Sequence, residues 1–131
     1  MKKELQDKLY EKYPKIFIQK DLPKSQSCMY QGITVGDGWY NLIDEMCTKI
    51  ATLDTKVEAV QVKEKFGGLR FYVTESTEEV DDIILEYTCE SLHVCETCGS
   101  TLDVQLTVGG WIHSLCAGCQ ILASKKNKST A

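Results

Sequence analysis

Cys95-Glu96-Thr97-Cys98-Gly99 is followed by Cys116-Ala117-Gly118-Cys119, with 17 residues between the inner cysteines. The pattern is C-x2-C-x17-C-x2-C, inside the spacing window of four-cysteine zinc sites. Two residues between the sulfurs of a pair let both reach one tetrahedral ion, and Gly99 permits the tight knuckle. Between the pairs, Thr101–Val108 and Trp111–Leu115 flank Gly109-Gly110. That arrangement predicts a hairpin that brings the two pairs together, with a helix starting near Gln120. Residues 93–124 therefore read as a zinc-ribbon or treble-clef-like unit, with Cys95, Cys98, Cys116 and Cys119 holding a structural Zn²⁺. Four thiolates close the coordination sphere and leave no position for a catalytic water. A unit of about 35 residues cannot build a core unaided, so the ion supplies folding energy.

The chain has 131 residues and seven cysteines. The alternative to metal is disulfide pairing, but an odd count and two C-x-x-C pairs favour reduced thiols and a cytoplasmic setting. The start, Met1-Lys2-Lys3-Glu4, has no apolar run behind it and does not read as a signal peptide. Residues 104–124 carry no charged side chain, yet Gln105, His113, Gln120 and two cysteines argue against a membrane helix. Cys47 reads as core, and Cys28 sits in a loop with no evident partner. Cys89 and His93 lie four apart on an expected helix and could form a thiol–imidazole pair, although nothing supplies a third catalytic group. His113, three residues before Cys116, could replace a cysteine as ligand, donate from beside the site, or lie on the surface.

Composition is that of a soluble globular domain, 43% hydrophobic and 26% charged, with net charge −4. The charges are unevenly spread. No Lys or Arg occurs between Arg70 and Lys125, while that segment carries nine acids. Phosphate contacts need basic groups, so nucleic-acid binding through the cysteine unit is not expected. A site for an anion should lie in the first 70 residues, which hold 12 of the 15 basic side chains.

Upstream, residues 3–13 read as a short helix ended by Pro14, and residues 20–32 as a loop. Asp37 in Gly36-Asp37-Gly38-Trp39-Tyr40 is an expected N-cap for a helix over 38–53. Residues 57–74 read as a β-hairpin turning at Gly67-Gly68. That register places Val60, Val62, Phe66, Leu69, Phe71 and Val73 on the core face, with Lys63, Lys65, Arg70 and Tyr72 on the other. It leaves Glu64 on the apolar face, an anomaly that a one-residue slip towards Arg70 or a lysine would relieve. Ser76-Thr77-Glu78-Glu79 is a capping box for a helix over 77–92. The fold class is α+β: a core of residues 1–92, the metal unit packed on it, and a disordered basic tail over 125–131.

Two features could converge on a ligand. The turn at Gly36-Asp37-Gly38 exposes amides at a helix start, a ready anion site. Lys63, Lys65, Arg70 and Tyr72 share the hairpin's outer face, and Trp39 or Tyr40 could stack on a base. These six residues are the candidate ligand set for a nucleotide or another phosphorylated small molecule. In the competing reading Asp37, as N-cap, itself occupies the anion site, Trp39 is core, and Lys63, Lys65 and Arg70 are a solvated strand face.

Gly-Asp-Gly-Trp-Tyr-Asn-Leu-Ile (36–43), Gln-Val-Lys-Glu-Lys-Phe-Gly-Gly-Leu-Arg-Phe-Tyr (61–72), and the two cysteine segments (95–99, 110–119) together resemble a family of small phage and prophage proteins. The resemblance covers roughly residues 36–120 and implies no particular activity or catalytic residue. It implies a bacterial cytoplasm during infection, and an accessory role in which a host factor is bound and sequestered. Such a counter-defence target is a host protein or a phosphorylated nucleotide signal. The expectation is thus a non-enzymatic binding protein without membrane contact, self-association remaining open. The alternatives are a zinc-ribbon nucleic-acid or transcription-associated module, and an enzyme built on cysteine or zinc.

Overall fold

The computed structural model describes the backbone of residues 1–129 and side-chain surroundings as far as Ala123. Helix α1 (Lys3–Lys12) is followed by strand β1 (Ile33–Thr34), helix α2 (Tyr40–Ala51), strands β2 (Ala59–Lys65) and β3 (Gly68–Val73), and helix α3 (Glu78–Ser91). The cysteine unit adds strands β4 (Gln105–Leu106) and β5 (Ser114–Leu115) and helix α4 (Ala117–Ser129). This is the expected α+β architecture with a four-cysteine, ribbon-like unit. None of the helices described is long and apolar enough to cross a membrane.

The main sheet has the order β1-β2-β3. β1 runs parallel to β2, with Ile33 beside Val62, and α2 makes the crossover between them. The loop expected over 20–32 is more ordered than a loop. It contains two short 3₁₀ turns, Ile18–Asp21 and Cys28–Gln31, and feeds buried Met29 and Ile33 into the core. A two-residue strand is too short to show a period, so β1 leaves no trace in sequence. Gln6 of α1 covers its edge: Ile33 N–H donates to Gln6 Oε1 at 3.0 Å.

The hairpin turn sits one residue earlier than expected, which moves every cross-strand partner by two and leaves the two faces unchanged. Lys65 pairs Gly68, Glu64 pairs Leu69, Lys63 pairs Arg70 and Val62 pairs Phe71. Phe66 and Gly67 therefore form the turn, both with positive φ (54° and 82°), as a two-residue hairpin turn of the primed type requires. Phe66 is exposed at the tip rather than packed in the core. A bulge between Ala59 and Gln61 puts Ala59, not Val60, inside. The core side keeps Val62, Leu69 and Phe71, which join Ile43, Met46, Cys47 and Ile50 of α2 and Val80 and Tyr87 of α3 in one cluster. Phe17 meets Phe71 edge to face at 6.2 Å.

Helix starts also shift. Thr77, not Ser76, caps α3; its Oγ1 accepts from Val80 N–H at 3.2 Å, while Ser76 Oγ donates to Asp81 Oδ1. The capping box is thus displaced, because the third helical position after Thr77 is Val80. Asp37 does not cap α2. It opens a 3₁₀ turn (Asp37–Trp39), and its Oδ1 accepts from Lys2 N–H at 2.7 Å. α2 then runs from Tyr40 to Ala51 rather than over 38–53. α4 starts at Ala117, before the expected Gln120, and continues to Ser129. The basic tail expected to be disordered from 125 is thus helical to Ser129, and Thr130 and Ala131 lie outside the described residues.

Candidate metal centre and adjoining cleft

The four cysteines meet as their spacing requires. Their sulfurs all lie within 4.8 Å of one another, and Cys98 Sγ is 3.7 Å from Cys116 Sγ. Sulfurs at about 2.3 Å from a tetrahedral zinc stand about 3.8 Å apart, so the donor set fits such an ion. The knuckle is shaped by Gly99 N–H donating to Cys95 O at 2.9 Å, with Gly99 at φ 81°. Cys116 links β5 to α4, and Cys119 lies in the first turn of α4. These elements hold the cysteines ready to bind a metal ion.

Amide hydrogens and crowding act on the sulfurs in opposite directions. Burial pushes the Cys95 thiol up, but amides of Cys116, Cys98 and Thr97 outweigh it and bring the group to about 6. At Cys98 the Ser100 amide works downward, while the sulfur of Cys95, burial and the sulfur of Cys116 raise it overall. Burial and the other three sulfurs raise Cys119. The Cys95 thiolate is favoured while Cys98 and Cys119 are suppressed, the strain of like charges that a dication relieves.

The unit's own core is small: Cys95, Leu115 and Cys116, with Val104, Cys119 and Ala123 packed against them. It is held to the larger core through Gly36-Asp37-Gly38-Trp39. Gly36 N–H donates to Glu96 Oε2 at 3.0 Å and Gly38 N–H to Glu96 O at 2.8 Å. Trp39 Nε1 donates to Val94 O at 2.8 Å. The amides expected to receive a foreign anion are therefore taken by Glu96 of the same chain. Trp39 is fully buried and has no free face for a base; Tyr40 is half-buried and packs on the core. Trp39 therefore leaves the candidate ligand set, and Tyr40 is not among the residues lining the cleft beside the hairpin tip.

A second junction joins the hairpin tip to the ribbon. Ser114 Oγ, fully buried, donates to Gly67 O at 2.7 Å. Beside it lies a cleft of about 680 Å³ lined by Lys63, Glu64, Lys65, Phe66, Glu96, Trp111 and His113 among others. Trp111 and Phe66 stand 74% and 66% exposed at its mouth. Trp111 stacks on His113 at 6.3 Å between centroids, and its Nε1 donates to Glu64 Oε2 at 3.1 Å. His113 Nδ1 is 3.2 Å from Glu96 Oε1 and 3.8 Å from Glu64 Oε1. His113 thus groups with two carboxylates rather than with the sulfurs.

Lys63 and Arg70 are cross-strand neighbours, and Lys63 Nζ sits 5.8 Å from the centre of the Tyr72 ring. Lys63 and Lys65 reach the cleft, whereas Arg70 and Tyr72 are not among its lining residues. Glu64 faces the core side of the sheet after all, opposite Leu69, and finds its partners in Gly67 N–H and Trp111. Phe66, Trp111, Glu64, Glu96 and His113 are among the cleft residues missing from the expected ligand set. The sequence marked Glu64 as anomalous, but its indole partner is 47 residues away. Cys47 is buried, its thiol raised by that burial; Cys28, Cys89 and His93 are exposed. Comparisons with protein-family models, curated proteins and solved structures give no match.

Proposed function

We propose that this chain is a non-enzymatic, zinc-stabilised binding protein that captures a phosphorylated, nucleotide-like ligand in the cleft between hairpin and cysteine unit. The observation that carries this reading is the composition of the cleft's rim. Lys63 and Lys65 stand on it, and among the described residues neither has a carboxylate within ion-pairing distance. Two exposed aromatic rings flank them. Phosphate belongs at the lysines and a flat base against Trp111 or Phe66.

The turn adds support. Its first central position favours Asn or Gly, and a phenylalanine there costs about 1–2 kcal/mol in left-handed backbone. Strain of this kind collects at functional positions. The resemblance to small phage and prophage proteins supports the setting, an infected bacterial cytoplasm in which a signal nucleotide or other host factor is withdrawn as counter-defence.

Native mass spectrometry of protein purified gently from bacterial cells tests the reading. We expect an extra mass of nucleotide size that disappears in Lys63→Ala/Lys65→Ala. Phe66→Asn should separate stability from binding. It raises unfolding free energy by about 1 kcal/mol while weakening ligand retention. No retained mass, or a mass indifferent to all three substitutions, overturns the small-molecule reading and favours a host protein as target.

A further inference from the structure

We propose that Glu64, Glu96 and His113 form a second metal site, separate from the four cysteines, that takes a divalent ion preferring oxygen and nitrogen donors. One ligand atom from each residue lies within 4.8 Å of the others. Ligands of one ion at about 2.1 Å stand about 3.0–3.4 Å apart, close to the 3.2 and 3.8 Å that His113 Nδ1 makes to the two carboxylates.

Charge supplies the independent argument. The Glu64 and Glu96 side chains are only 5% and 11% exposed. Among the described residues no Lys or Arg lies within ion-pairing distance of either. Even a cationic imidazole sets one positive charge against two buried negative ones, an arrangement that a divalent ion balances. The remaining hydrogen bonds fix the donors in place. Glu64 accepts from Gly67 N–H and Trp111 Nε1, Glu96 accepts from Gly36 N–H, and the His113 ring is stacked on Trp111. Such support is what metal-binding side chains need to keep their orientation.

The donor set differs in kind from four thiolates. One imidazole and two carboxylates suit Mn²⁺, Fe²⁺ or Zn²⁺ and leave coordination positions open towards the cleft. The site needs no nucleotide to form, so it stands or falls apart from the proposed function. If both hold, the ion turns an acidic floor into one that attracts phosphate.

The test is a Mn²⁺ titration of zinc-loaded protein, with free Mn²⁺ counted by electron paramagnetic resonance. Mn²⁺ is a poor match for the thiolates, so it reports the carboxylate site alone. We expect one Mn²⁺ per chain. Glu64→Gln and His113→Gln should each weaken its uptake by at least about tenfold, with zinc content and circular dichroism unchanged. Glu64→Gln keeps an acceptor for Trp111, and His113 is partly exposed, so both variants should fold. No Mn²⁺ bound at millimolar free ion, or uptake that neither substitution weakens, overturns the site.

Discussion

Cys116→Ser abolishes metal binding at the four-cysteine centre and unfolds residues 93–124, while the sheet and α1–α3 remain folded. Cys116 is a buried member of the unit's small core and a sulfur neighbour of Cys98. Three sulfurs and a hydroxyl cannot hold the ion as four thiolates do. Structural zinc is worth about 10–16 kcal/mol in small peptides, comparable with the whole stability of an average domain, about 5–15 kcal/mol. Nothing in a core of three buried residues replaces a contribution of that size. The larger cluster takes only Val94 from this region, as a partly buried neighbour, so it should survive.

The tryptophans report the outcome. Trp39 is fully buried with its indole on Val94 O, and Trp111 is exposed. In a Trp111→Phe background, loss of the metal should red-shift Trp39 emission, while far-ultraviolet circular dichroism retains most of its signal. A strong chelator added to the parent protein should give the same end state. A single cooperative collapse of the whole chain would show that the two cores are one folding unit.

What was legible in the sequence is what depends on neighbours along the chain. The cysteine pairs announce a metal because two-residue spacing already fits one tetrahedral ion. The helices and the hairpin follow from local apolar periodicity. The failures share a different cause. Phe66-Gly67-Gly68 offers two possible two-residue turns, and Ser114 and Leu106, packed on Gly67, accompany the one adopted. Turn chemistry alone prefers the other, since it would spare a phenylalanine in left-handed backbone.

The amides of Gly36 and Gly38 read as an anion site, but Gly36 meets the carboxylate of Glu96, 60 residues on, and Gly38 meets the backbone carbonyl of the same residue. Sequence shows that such a site exists and is silent on whether its occupant is a ligand or the chain itself. Glu64 follows the same logic. Its misfit was visible at once, whereas the indole and imidazole that accommodate it come from between the two cysteine pairs, far along the chain.

Gly38→Ala should detach the metal unit without touching a metal ligand. A Cβ at Gly38 would lie 2.2 Å from Cys95 O and 2.6 Å from Gly99 N. Both are backbone atoms of the knuckle, so no flexible side chain can swing away. Its φ lies outside the left-handed region, so alanine is conformationally welcome there. By propensity alone the change would stabilise the 3₁₀ turn ahead of α2 by about 0.5–1 kcal/mol. We expect the opposite sign, a loss of about 3 kcal/mol, at the upper end for forcing a methyl group into packed structure. Docking and metal binding are linked, so zinc affinity should fall by roughly 100-fold, the equivalent of that loss. The decisive control is the same substitution in Cys116→Ser, where the knuckle is already unfolded. There Gly38→Ala should be neutral or stabilising, a coupling that a double-mutant cycle reads directly. An equal penalty in both backgrounds would mean that the glycine serves the 3₁₀ turn ahead of α2 and not the seat of the metal unit.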